Sequence, residues 1–128
     1  KEWCVNLVGF GLVEKKEKGM LFVSMSDFYT QAERQPRVAR SEEKALALGM
    51  RAGSEAARKK LIQGYFPLVA AHLQRLSPEL QSLELLYRCL NALEKAVDSF
   101  DFLQESETFA HRLSWWLRQT ITGYLADR

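Results

Sequence analysis

Arg112, Trp115, Gln119 and Thr122 recur at steps of 3, 4 and 3 near the end of the sequence, a spacing that places all four on one face of an α-helix. A Trp ring is a flat apolar platform, and an Arg guanidinium is a planar cation that can also stack. A Gln amide carries a donor and an acceptor side by side, which can pair with the edge of a nucleobase. The same residue types also suit a plain solvated face, so spacing leaves both uses open. Trp115 and Trp116 must diverge, because neighbouring helix residues point about 100° apart. Trp116 is expected to pack, and Trp115 to be the exposed platform.

Bond-making chemistry has no comparable support. The sequence holds no nucleophile–base pair, glycine-rich phosphate loop or cluster of metal ligands. Asp98 with Asp101 comes nearest, at the end of an expected helix, and reads as a cap and loop pair. His72 and His111 are isolated. Cys4 and Cys89 have neither disulfide-framework nor zinc spacing, which points to a reducing, cytoplasmic compartment. Cys89 is expected to be a small buried hydrophobe. The chain therefore reads as a binding protein and not an enzyme, with no cofactor and no metal.

The elements that must position the Arg112–Thr122 face are helical. The 128 residues are 47% hydrophobic and 27% charged, enough apolar side chains for one self-supporting core. No apolar run reaches the roughly 20 residues of a membrane span. A net charge of +2 favours neither nucleic acid nor membrane. Ser41 before Glu42-Glu43 predicts a helix start and Gly53 a stop, while Ser54-Glu55 predicts a restart through Leu61 and Ile62. Pro67 suits the first turn of a further helix, and Ser77-Pro78-Glu79 is another start signal. The clearest helix runs from Ser82 to Phe100, with Leu83, Leu86, Leu90, Leu93, Val97 and Phe100 along one stripe. Residues 101–107 read as a loop. The last helix spans Thr108 to Ala126, with Phe109, Leu113, Trp116, Thr120 and Tyr124 as its expected core stripe. Residues 1–25 form an N-terminal extension compatible with a short β-hairpin around Glu14–Lys18. The rest, 26–128, is a mainly α, single helical domain.

Two stretches carry a resemblance. Leu93-Glu94-Lys95-Ala96-Val97-Asp98-Ser99-Phe100-Asp101-Phe102 and Ser114-Trp115-Trp116-Leu117-Arg118-Gln119-Thr120-Ile121-Thr122 together resemble the signature of bacterial sigma-70-type initiation factors, an "L-x-K-A-V-D-x-F-D-Y" run followed by "W-W-I-R-Q-x-I-T". Arg51 to Ile62 and Pro67-Leu68-Val69 are similar to the segments that open the same central domain, known as region 2. Phe28 to Glu43 is similar to the short region 1.2 before it. The resemblance implies a fold of the region 2 type and two partners. Core RNA polymerase, through the coiled coil of its β′ subunit, would meet the exposed strip Glu84, Arg88, Asn91 and Lys95. Promoter −10 DNA, as a single strand with two flipped bases, would meet Phe109, Arg112, Trp115, Trp116, Arg118, Gln119 and Thr122. An anti-sigma protein or other regulator is a further partner that the family implies.

Departures from the family pattern bear on these expectations. Loop 103–107 reads Leu-Gln-Glu-Ser-Glu, acidic where the family is basic and aromatic, so carboxylates would stand near phosphates and oppose strand melting. Arg112 takes the place of a stacking Tyr, and Gly123 that of an Arg. Tyr87 to Ala92 replaces a "Q-E-G-N-x-G" stretch on the polymerase-facing helix. The alternative is a degenerate sigma-like interaction protein that binds polymerase or a regulator without melting DNA. No −35-reading helix-turn-helix appears in these residues, which fits a piece of a longer factor as well as a short protein.

Overall fold

A computed structural model describes residues 22–127. The expected hairpin over 1–25 lies almost wholly outside them. Among the described residues there are six α-helices, α1 (Met25–Glu33), α2 (Arg40–Arg51), α3 (Glu55–Gly64), α4 (Phe66–Gln74), α5 (Leu83–Ser99) and α6 (Phe109–Ala126), with a 3-10 turn at Pro78–Leu80 and no strand. The mainly α expectation holds.

Capping chemistry explains most boundaries. Oγ of Ser24, Ser54 and Ser82 and Oγ1 of Thr108 accept backbone amides at the starts of α1, α3, α5 and α6, at 3.0–3.2 Å. Pro67 sits in the first turn of α4, where its missing N–H costs nothing. Gly53 ends α2 in a left-handed turn with φ 99°. Two start signals resolve differently from expectation. Ser41 lies inside α2, whose cap is Ala39, with the Glu42 carboxylate accepting the Ala39 amide at 3.0 Å. Ser77-Pro78-Glu79 yields only the 3-10 turn, and the next helix waits for Ser82.

Helix α5 is the centre of the fold. Leu86, Leu90, Leu93, Val97 and Cys89 are fully buried as expected, Leu83 and Phe100 at the ends of the stripe only half-buried, and Leu85, Tyr87 and Ala96 are buried as well, because α3, α4 and α6 all pack against the helix. Full burial of each large apolar side chain is worth about 2 kcal/mol. Phe22, which the sequence groups with the extension, is buried against Phe28, Phe66 and Tyr87, and its amide donates to the Tyr87 hydroxyl at 2.8 Å. A second aromatic cluster joins Tyr65, Phe100, Phe102 and Phe109. It fixes both the entry to loop 101–107 and the start of α6.

Candidate nucleic-acid interface

Helix α6 turns Phe109, Leu113, Leu117 and Ile121 into the core. This stripe of i, i+4 steps corrects the expected one: Trp116, Thr120 and Tyr124 flank it half-buried. The opposite side presents Arg112, Trp115, Arg118, Gln119 and Thr122, all exposed. Trp115 is 43% exposed and meets the Trp116 ring edge-on, with centroids 5.3 Å apart. The two indoles thus divide as their 100° separation requires, one outward and one at the core margin. Phe109 keeps its expected place in the core stripe and departs from the DNA contact that the resemblance implies. It is 1% exposed and wedged against Tyr65, Phe100 and Phe102, so no base can reach it while that cluster is closed.

On α5, Glu84, Arg88 and Lys95 are exposed and Asn91 is half-buried, forming the strip that spacing predicts. Arg88 lies 3.6 Å from Glu84 and stacks over the Tyr124 ring at 5.2 Å. The Tyr124 hydroxyl donates to Glu84 Oε1 at 3.3 Å. Asn91 Oδ1 is buried without a hydrogen-bond partner. This strip and the α6 face are not separate surfaces: a groove of about 410 Å³ runs between them, lined among others by Arg88, Asn91, Lys95, Trp116, Gln119 and Gly123. A Cβ on Gly123 would meet nothing within 4 Å, so its lack of a side chain leaves the groove wall open.

The acidic loop is not a bare negative patch. Glu105 pairs with Lys44 at 3.2 Å and Glu107 with Arg112 at 2.9 Å. Asp101 lies 3.5 Å from Arg51 and also accepts the Leu103 amide at 3.0 Å. The guanidinium of Arg112, a candidate stacking group, is therefore already engaged.

The chain that carries this loop-bounded helical face and its tandem Trp has relatives among known proteins. No family model matches the chain. It is 34% identical over 94 residues, 73% of its length, to RNA polymerase sigma factor SigA of Clostridium acetobutylicum. It is also 34% identical over 99 residues, 74% of its length, to the SigA proteins of Lactococcus lactis subsp. lactis and subsp. cremoris. This chain carries a sigma-70-type factor domain. It spans about a quarter of the length of the curated relatives it matches, 25% to 27%.

The sigma-70-type domain holds its signature helix in place with a device that the sequence does not reveal. Arg58 of α3 donates to both carboxylate oxygens of Asp98, at 2.9 and 3.0 Å, and to Glu94 Oε1 at 3.1 Å. Asp98 is thus a cross-helix anchor and not a cap, and only Asp101 keeps the expected loop role. The Arg58 and Glu94 side chains are 16% and 10% exposed, and Glu94 Oε2 is buried without a partner. Burial pushes the Glu94 carboxyl above its usual range, against the opposing pull of Arg58. His72 is likewise buried, 3.3 Å from Ser114 of α6, and burial followed by Arg75 and Arg118 lowers its pKa. Partners 36 and 40 residues apart leave no local signature, and the pairing of Lys44 and Arg51 with the loop is hidden for the same reason.

Proposed function

We propose that the domain works in transcription initiation, docking on core RNA polymerase through Glu84, Arg88, Asn91 and Lys95 and reading the −10 element as a single strand through α6. The observation that carries this reading is the exposed row Trp115, Arg118, Gln119 and Thr122 over a buried Leu113–Leu117–Ile121 stripe, in a chain homologous to sigma factors. The work is binding: unstacking bases costs a few kcal/mol, which aromatic stacking and pocket contacts return. A hollow of about 260 Å³ with Val38, Tyr65, Leu68 and Ala110 in its wall and Arg37 at its rim offers the apolar walls and nearby cation that an unstacked nucleotide needs. Among the described residues no helix is long and apolar enough to cross a membrane. Phe109 has no place in this interface.

A second reading keeps polymerase or a regulator such as an anti-sigma protein as partner and drops strand melting. It is favoured by Arg112 being tied to Glu107 and by Gly123 where the family carries an Arg. Binding of the chain to core polymerase and to a fluorescent single-stranded −10 oligonucleotide separates the two. Under the first reading both bind, Trp115→Ala and Gln119→Ala each weaken the DNA arm, about tenfold for the stacking residue, and Arg88→Glu weakens only the polymerase arm. Polymerase binding without oligonucleotide binding supports the second reading. Failure of both arms removes the first reading and leaves the second only with a regulator as partner.

A further inference from the structure

Loop 101–107 lies between two helices that supply cations to it. Asp101 meets Arg51 at the end of α2, Glu105 meets Lys44 in its first half, and Glu107 meets Arg112 in the first turn of α6. The loop has an internal scaffold independent of these charges. Gln104 Oε1 accepts the amides of Ser106 and Glu107 at 2.8 and 3.2 Å and the Ser106 hydroxyl at 2.6 Å, while its Nε2 donates to the Glu107 carbonyl at 2.8 Å. Its ends are held by buried Phe102 and by the Thr108 cap. Beneath it lies a hollow of about 370 Å³ that reaches Arg112 and Trp116.

We propose that this loop is an internal stand-in for an anionic strand, its carboxylates occupying a cation site of Lys44, Arg51 and Arg112 that a nucleic-acid phosphate backbone takes over. The inference rests on the DNA-reading role proposed above. It adds to that role the two cations of α2 and a competition between loop and strand. The energetics favour exchange. The pairs range from well exposed, with Glu105 at 77%, to partly exposed, with Glu107 at 25%, and pairs this open to solvent contribute little to stability. Each phosphate that takes a freed cation releases condensed counterions, a gain the loop carboxylate cannot match. Displacing the loop also uncovers the floor of the hollow, where the half-buried Trp116 becomes a second platform beside Trp115.

The test is a titration of a fluorescein-labelled single-stranded −10 oligonucleotide at several salt concentrations, with thermal melting to verify that each variant is folded. Gln104→Ala loosens the loop scaffold without changing charge, and binding tightens about threefold, the scale of one recovered phosphate contact. Glu105→Gln/Glu107→Gln tightens it about tenfold and steepens the dependence of log affinity on log salt by roughly 1.4, about 0.7 per single-strand phosphate. Adding Lys44→Ala to that double variant cancels much of the gain. Equal affinity of wild type, Gln104→Ala and the double variant overturns the stand-in and leaves the DNA-reading role intact. So does a gain that Lys44→Ala leaves untouched, since Lys44 is then not a cation that the loop withholds from the strand. Absence of binding by every form overturns both.

Discussion

Two groups of ion pairs in this domain use the same chemistry for different ends. At the α3–α5 junction Arg58 makes three hydrogen bonds to two carboxylates, with its side chain and that of Glu94 largely withdrawn from water. Around loop 101–107 three separate cations each meet one carboxylate at or near the surface. Water screens the second set, so each pair can be traded for another partner at small cost. It reaches Asp98 but not freely Arg58 and Glu94, so removing either of these two strands a charge in the interior. Burial, not the identity of the residues, decides which pairs hold the fold and which remain available for recognition.

The difference shows most strongly in stability. Arg58→Ala leaves Glu94 buried without its cation and costs ~3 kcal/mol, while Lys44→Ala costs under about 1 kcal/mol. Chemical denaturation reads both, and similar losses for the two would erase the distinction. A smaller effect lies in the pH dependence. Because burial raises the Glu94 pKa in the folded state, its contribution is fully present below the ordinary value of 4.5 and is lost as pH rises through the folded value. Glu94→Gln should flatten the stability profile just above pH 4.5, and an unchanged profile would place the titration elsewhere. The mildest probe leaves the fold untouched. The Cys89 thiol is fully buried on α5 and is pushed up to about 12 by that burial, so in a Cys4→Ser background it should resist alkylation at pH 8 until the protein is unfolded. Rapid labelling of the native domain would show α5 to be less enclosed than described.

Legibility followed the same division. Helices α5 and α6 were readable within a residue or so, since Ser82 and Thr108 cap them and their leucines repeat with helical spacing. Helix α1 was not, because its nine residues bury only Phe28 and Ala32 and so show no stripe. Of the expected stripe, Trp116 and Tyr124 do pack, but at the core's margin, and Thr120 lies beside them: a stripe of steps 3 and 4 can be drawn on either side of Leu113–Leu117–Ile121, and only the position of α5 decides which is central. Phe109 was misplaced because a resemblance transfers a position without its surroundings, here a closed cluster of rings. That Arg112, Trp115, Gln119 and Thr122 share one face of α6 was legible from spacing, while Arg118 entered only through the resemblance. The partners of loop 101–107 were not, because Lys44 lies 61 residues before Glu105 and nothing local announces the pairing.

The most direct measurement is the ratio of affinities for a single-stranded −10 sequence and a scrambled strand of the same composition, for wild type and for Trp115→Ala/Gln119→Ala. If the α6 face reads promoter DNA, wild type prefers the −10 strand by about tenfold or more, and the double variant loses that preference while melting normally. Equal affinity of the wild-type domain for the two strands, or a preference that survives both substitutions, would contradict it.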